Sequence, residues 1–587
     1  MTAMKPAYLQ VPVKDTSGAS EFSGRGPGQI RDWLEKIPEG NAAASARVLF
    51  DALHLVNRSS LHKASRFEVM ELFRPAVNAV CARLAEQHSD DAAPLQEAQR
   101  QRVRQAQKLL DELANGFKLC VNRQLKLAQS TPSKADVLVF QLSIQRAMLT
   151  LGRRLLESYR IYQPEPAGVW RELHTLYGNA ERYKLQSLPV EGSPDSEETA
   201  LSVKQAYLRL ATLALADPYR LRHGEAEALY RRIGRWVHFV QTRPPQANED
   251  LSGRFVLDLA SDHAAHYLPL AAPHPALRQP RILDIRELTG AIRHQITLFD
   301  RTIKRCNSTL TQSEQKQRDL DMRFIGALGE RQGRRALRQP TAAKLLVVVG
   351  LHACHYVANK RRRFEPTQAD QRRKDQPLDR DAMTASKGAT DLNDSGHRAR
   401  RIQAVLTDAA QRRYQPEFRL STWQQSNESE GGMAAFSPEA VPVRTQVGDL
   451  LAYTSEDGRN SADWKLGAVR WLRTRPKGGL ELGVEQLADN AYAVGIEAIS
   501  GPGRANDYQR GLLIPRTNPV TDSHTLLTAS GLYAAGTIVR LARDDGATLH
   551  ARLTELVHST QQFAQFRFRL VAALETTHTE IPLYQAG

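Results

Sequence analysis

Apolar residues return every three or four positions through the first half of the chain. Met70, Phe73, Val77, Val80 and Leu84 form one such stripe, and Val103, Ala106, Leu110, Leu113, Phe117 and Cys120 form another. This spacing places one side of a helix against a core. The stretches "VFQLSIQRAMLTLGRRLLESYRIY" and "SVKQAYLRLATLALADPYRL" read the same way. No fixed repeat period runs through them, so residues 28–328 are expected to form an irregular all-α domain. A polar break, "LPVEGSPDSEETA" at 188–200, divides it into two groups. Residues 1–27, rich in Ser, Gly and Pro, read as a mobile tail.

The pattern changes at Pro340, which disfavours helix at Gln339. "LLVVVGL" at 345–351 is short, bulky and largely β-branched, as a buried strand is. Residues 359–401 then lose nearly all apolar content and read as a disordered insertion, reaching to about 415. From Phe418 onward the alternation has the two-residue period of strands. Leu480, Leu482 and Val484 alternate with Glu481 and Glu485, and Phe566, Phe568 and Leu570 with Arg567 and Arg569. "VRLARDDGATLHARL" carries a hairpin signal at Asp545-Gly546. The last quarter is therefore expected to be a barrel or a pair of small barrels.

Composition narrows the function classes. The chain has 587 residues, too many for one core, and a formal net charge of +16 that attracts polyanions. Its four cysteines, Cys81, Cys120, Cys306 and Cys354, form no CxxC and fit buried thiols in a reducing cytoplasm. The beginning lacks a signal-peptide core, and no apolar run approaches the ~20 residues that span a bilayer. A cytoplasmic protein without membrane insertion is expected. Phosphate loops, GxSxG elbows and HExxH are absent from the sequence, which favours a non-enzymatic role.

Two short motifs flank the first strand-like run. Arg334 and Arg338 give RxxxR in "RRALRQP", with Arg331 and Arg335 as an alternative pair. Asn427, Ser429 and Gly432 give NxSxxG, with Gly431 beside them. This order of motifs, with a strand between, resembles the PilZ domain. The resemblance covers roughly 330–500 and implies a six-stranded antiparallel β-barrel that binds cyclic diguanylate, a bacterial second messenger, with no other cofactor. The expected organisation is a tail at 1–27, a helical domain at 28–328, a PilZ-like barrel at 329–500 holding the insertion, and a small β extension or second barrel at 501–587.

One departure stands out. Arg338 and Asn427 lie 89 positions apart, far more than the family pattern implies. Lengthening a flexible loop from ~20 to ~80 residues adds only about 1 kcal/mol of closure entropy, so strands on either side of the insertion still pair. "HRARR" at 397–401 is a rival placement with the family's distance to Asn427, but His397 stands where the first arginine belongs and no good strand follows.

The residue types fit the ligand that the resemblance implies. An arginine fork meets guanine N7 and O6 bidentately, contacts phosphate and stacks on purine faces. Asn427 and Ser429, two apart on a strand, share a face, while Glu428 and Glu430 point away from a dianionic ligand. Gly431 and Gly432 let the chain turn and keep side chains out of its path. Asn-x-Ser-x-Gly-Gly is equally a good turn sequence on its own.

Other signals carry less. His352 and Cys354 share one face of the expected strand and His355 the other, too few groups for a zinc site, so no metal is expected. "KRRRF", "QRRKD" and "HRARR" are interrupted by acidic residues, which argues against nucleic acid. The expected function is a cyclic diguanylate effector that couples ligand binding to contacts between the helical domain and an unidentified protein, in control of motility, pili or biofilm formation. The alternatives are a PilZ-like adaptor without ligand and a basic nucleic-acid binder.

Overall fold

The structure, a computed structural model, describes residues 7–14, 22, 24–38, 40–61, 65–86, 93, 95–128, 132–190, 200–270, 276–306, 312–329, 339–361, 420–437, 444–456, 464–475, 479–501, 508–515, 523–543 and 548–571. They fall into two compact units, one of residues up to 337 together with Trp471–Leu480, the other of 338–470 and Glu481 onward.

The first unit begins with helices α1 Pro27–Glu35, α2 Ala42–Arg58, α3 Arg66–Glu86, α4 Glu97–Leu127, α5 Lys134–Arg160, α6 Val169–Arg182, α7 Val203–Leu215 and α8 Glu225–Trp236. Their starts follow from local chemistry. Asn41 accepts from the Ala43 and Ala44 amides at the head of α2, Ser133 forms a capping box with Asp136 on α5, and Ser202 one with Gln205 on α7. Each stripe read from the sequence is buried: Met70 to Leu84 along α3, and Val103 to Cys120 along α4. Gly116 in α4 permits a close approach of α3, since a Cβ there would lie 2.0 Å from Met70 Sδ.

After α8 comes a four-stranded sheet that the helical reading did not foresee. It is built from β1 Gln241–Arg243, β2 Phe255–Asp258, β3 His266–Tyr267 and β4 Pro280–Asp284, in the order β1-β4-β2-β3. Helices α9 Arg286–Cys306 and α10 Gln312–Leu328 follow. No helix among the described residues is long and apolar enough to cross a membrane.

The expected N-terminal tail needs correction where it is described. The backbone of Leu9 exchanges two hydrogen bonds of 2.9 Å with the side chain of Asn122, and Asn179 Nδ2 donates to Ala7 O at 2.9 Å. Phe22 is fully buried, edge-on to Trp33 with ring centroids 5.2 Å apart. Average composition hides such anchors: two apolar residues in a Ser/Gly-rich stretch suffice to pin it.

In the second unit, β5 Gln339–Pro340 and β6 Lys344–Val349 lead into α11 Leu351–Ala358. Residues 362–419, which hold most of the expected insertion and the "HRARR" segment, lie outside the described residues. The strands then run β7 Ser421–Ser429, β8 Gly432–Ser437, β9 Leu450–Ser455, β10 Lys465–Thr474 and β11 Leu480–Ala488. Their order is β5-β7-β6-β9-β10-β11-β8, with β7 also paired to β8. Six strands therefore close into the antiparallel barrel, and β5 adds a short extra rung. The β6–β7 register, Leu345 opposite Trp423 and Val347 opposite Ser421, spans the long excursion in the sequence. Leu345, Val347 and Trp423 are buried inside.

A second closed barrel has the order β12-β13-β14-β17-β16-β15. Its strands are β12 Tyr492–Ser500, β13 Gln509–Ile514, β14 Thr525–Ala529, β15 Ile538–Ala542, β16 Thr548–Ser559 and β17 Phe563–Leu570. The expected hairpin forms between β15 and β16, with Ala542 opposite Thr548, while Asp545 and Gly546 lie outside the described residues. The alternation in β17 buries Phe566, but Leu570 is exposed at the strand end.

The segment "LHACHYV" forms helix α11 and not the expected strand. Gly350, at φ +98°, stops β6, and Leu351, Cys354 and Val357 then recur at helical spacing on a buried face. A short apolar run does not distinguish the two periods. Packed on α11 are Leu450, Ala452, Leu466 and Ala468 of the first barrel and Leu512, Ile514 and Leu527 of the second, in one cluster. His355 is buried there, its Nε2 3.3 Å from Val494 O, and burial lowers its pKa to about 4, so it packs neutral. Burial drives the Cys354 thiol far upward, which makes it inert.

Two predictions follow from these packings. Phe22→Ala should cost about 3–5 kcal/mol in urea unfolding, where an undocked tail would cost nothing. Asp449 is buried before β9, accepts from Thr445 Oγ1 at 3.2 Å and Gln446 N at 2.9 Å, and has its pKa raised by burial to about 6. Between its unfolded value and 6 the folded protein holds the extra proton, so this group's contribution to stability declines as pH rises through that window. Asp449→Asn should therefore melt higher than wild type above pH 6, by up to about 3 kcal/mol, with the gap closing toward pH 4.

Candidate functional site

Strand β7 carries the second motif at its end, and its register shows how the motif is presented. Trp423 and Gln425 face the barrel interior, with Gln425 opposite Ala435. The register then slips by one, because Asn427 lies opposite Ala434 and Ser429 opposite Gly432. Ser426 is the extra residue. Its Oγ donates to Ala434 O at 3.1 Å, and its carbonyl accepts from Thr341 N at 3.3 Å. A bulge re-aims the side chains beyond it. Without it, Asn427 and Ser429 would share the inward face of Trp423. With it, they stand together on the outer wall.

Glu428, opposite Met433, takes the other face and lies 3.6 Å from Lys465 at the barrel mouth. Glu430 is exposed in the two-residue turn. The sequence pattern anticipated this separation of polar from acidic side chains, although it did not reveal the bulge.

The turn depends on one of its two glycines. A Cβ at Gly432 would lie 2.1 Å from Val484 O and 3.2 Å from Glu485 Cα, at φ +153°. Strand β11 presses this closely, and Gln486 N donates to Gly431 O at 3.1 Å. Around Gly431 itself there is open space. Ser429 Oγ donates to Gly432 O at 3.1 Å, which fixes the turn and leaves the hydroxyl's lone pairs available as acceptors.

Asn427 is different. Its Oδ1 is buried with no hydrogen-bond partner among the described residues, a state that costs about 1–3 kcal/mol. An orphaned acceptor on a half-buried amide calls for a donor beyond the described residues.

Arg331, Arg334, Arg335 and Arg338 lie outside the described residues. The described chain resumes at Gln339, the next residue after Arg338, and pairs with the motif strand: Gln339 lies opposite Glu428 and Pro340 opposite Asn427.

Sequence reasoning missed a guanidinium on the same wall. Lys465 pairs with Tyr453 on the inner face, while Leu466 and Ala468 face outward onto α11, and Arg470 continues that outer row. Arg470 Nε binds the carboxylate of Glu485, and its Nη1 donates to His558 Nε2 at 3.2 Å. Nothing in the local sequence of Arg470 signals this role, because it arises from strand order. Among the described residues, no group of three His, Cys, Asp or Glu side chains is placed to hold a metal.

The turn geometry gives a direct test. Gly432→Ala should destabilise the protein by about 1–3 kcal/mol in thermal or urea unfolding through collision with the β11 backbone. Gly431→Ala should stay within about 0.5 kcal/mol of wild type.

Comparison with known proteins matches the chain in three segments, the middle one beginning ahead of the barrel, at the four-stranded sheet. Three family models match in succession: "Cyclic-di-GMP receptor FimW, N-terminal domain" over residues 28–246, "Cyclic-di-GMP receptor FimW, middle PilZ domain" over 254–492, and "FimW C-terminal beta-barrel domain" over 494–571. A protein of Pseudomonas aeruginosa described as cyclic-di-GMP receptor FimW is 27% identical across 97% of this chain and 94% of its own length. No solved structure matches.

Proposed function

Because this chain belongs to the PilZ-domain family, in the FimW arrangement of helical domain, middle barrel and C-terminal barrel, we propose that it is a receptor for cyclic diguanylate. The observation that carries the reading is the outward pair Asn427 and Ser429, with the Asn427 acceptor buried and unpartnered at the motif position.

The ligand has what such a wall lacks. Guanine presents an N2 amine as a donor, suited to Asn427 Oδ1, and its N7 and O6 edge accepts an arginine fork. Gly432 keeps the rim free of a side chain. Arg334 and Arg338, or the alternates Arg331 and Arg335, supply the forks. Support for their reach is the rung at Gln339 and Pro340, which brings the chain immediately after Arg338 alongside Asn427 and Glu428. Two phosphates require positive charge, and Arg is the residue suited to bidentate phosphate contact.

In this reading the protein works by binding and not by chemistry. Ligand uptake favours the arrangement that binds it better, and the helical unit passes that change to another protein. A ligand shifts such an equilibrium only by its differential affinity for the two states. Cyclic diguanylate is the one small molecule required, with no further cofactor, and the site belongs in the cytoplasm, where the messenger is made.

Calorimetric titration of nucleotide-free protein with cyclic diguanylate tests the proposal. Micromolar or tighter binding is expected. Ser429→Ala and Arg338→Ala should each weaken it by about tenfold or more, with Ser429→Ala also costing about 1 kcal/mol of stability through the lost hydrogen bond to Gly432 O. Absence of heat at high protein concentration would leave the barrel as an adaptor without a ligand.

A further inference from the structure

The outer wall has a second cationic position that neither motif includes. Arg470 stands on β10, and the strand order β7-β8-β11-β10 puts β11 between it and the motif turn. Its side chain returns over β11 to Glu485, the residue whose Cα would be 3.2 Å from a Cβ at Gly432. The guanidinium therefore lies about two strand spacings, roughly 10 Å, from the strand of Ser429. That is within the breadth of a ligand made of two nucleotides.

Arg470 is also held in a way that suits binding. Nε is fixed by Glu485 and Nη1 by His558 of the second barrel, with Nε2 of His558 as the unprotonated nitrogen. Among the described residues the Nη2 edge has no partner, and the side chain is 34% exposed. A half-exposed fork with two edges fixed and one open has lost little freedom still to be lost on binding. Glu485 balances its charge in the free protein, yet stands as a carboxylate beside the position of a dianion.

We propose that Arg470, oriented by Glu485 and by His558 of the C-terminal barrel, is a further ligand-binding residue that meets a phosphate or purine edge of the ligand on the outer wall of the middle barrel. This rests on the receptor reading above. It makes the second barrel a contributor to the site through His558. It also assigns Glu485 a defined sign: it orients the fork but opposes the anion.

Opposite signs separate this role from simple bracing of two barrels. In calorimetric titrations of the full-length, nucleotide-free protein with cyclic diguanylate, Arg470→Ala should weaken binding about tenfold or more. Arg470→Lys should recover part of the loss, since the charge remains and the fork does not. Glu485→Gln keeps an acceptor for Arg470 and removes the repelling charge, so it should tighten binding by about two- to fivefold. Melting curves report the fold of each variant, and Glu485→Gln carries the test if Arg470→Ala does not fold. Wild-type binding with Arg470→Ala unchanged overturns this inference alone. So does equal weakening by Arg470→Ala and Glu485→Gln, which marks a structural pair. If the wild type takes up no ligand, the receptor reading fails and takes this inference with it.

Discussion

The pairing of β6 with β7 is the constraint on which the second unit depends. Leu345 lies opposite Trp423, and both are buried in the barrel interior although 78 positions separate them in the chain. A barrel closes only if its first and second strands meet. Loop entropy grows with the logarithm of length, so the price of a long excursion is small beside the burial of one indole ring. Once this rung forms, β5 can extend it toward the end of β7, and the chain after Arg338 comes beside Asn427 and Glu428.

Upon that frame the candidate site is made by two local departures from a regular sheet. The bulge at Ser426 turns Asn427 and Ser429 from the interior to the outer wall. Gly432 lets β11 approach to a distance that no side chain allows. The first departure decides which way the polar groups point, and the second decides how closely β11 packs against their turn. Neither involves a charged residue. The shape of the wall is thus set without any charged group.

The long amphipathic helices were legible because their stripes run for about four to five turns, as α3 and α4 show. Both barrels were legible from alternation in β11 and β17 and from the hairpin between β15 and β16. The four-stranded sheet β1 to β4 was not, since its strands have two to five residues and no period can be read over so few. For α11, seven apolar-leaning residues after a strand fit either period until Gly350 fixes the break. Leu9 and Phe22 show that a polar segment can be anchored by single residues. At the candidate site, the pattern singled out Asn427, Ser429 and Gly432, and alternation anticipated that Glu428 takes the face opposite Asn427, while Glu430 falls in the turn. The bulge has no signature in "WQQSNESEGG", and Arg470 becomes visible only through strand order.

Helix α11 has a consequence for how this chain divides. It is threaded between the first two long strands of the middle barrel, yet Cys354 and Val357 pack in one cluster with Leu512, Ile514 and Leu527 of the other barrel. The second barrel has an apolar interior of its own around Ile496, Leu541 and Phe566, and the cluster at α11 is a further layer that both barrels share. A chain ended at the seam near residue 493 would remove Leu512, Ile514 and Leu527 from the face of α11 that they cover, leaving an apolar flank that invites self-association.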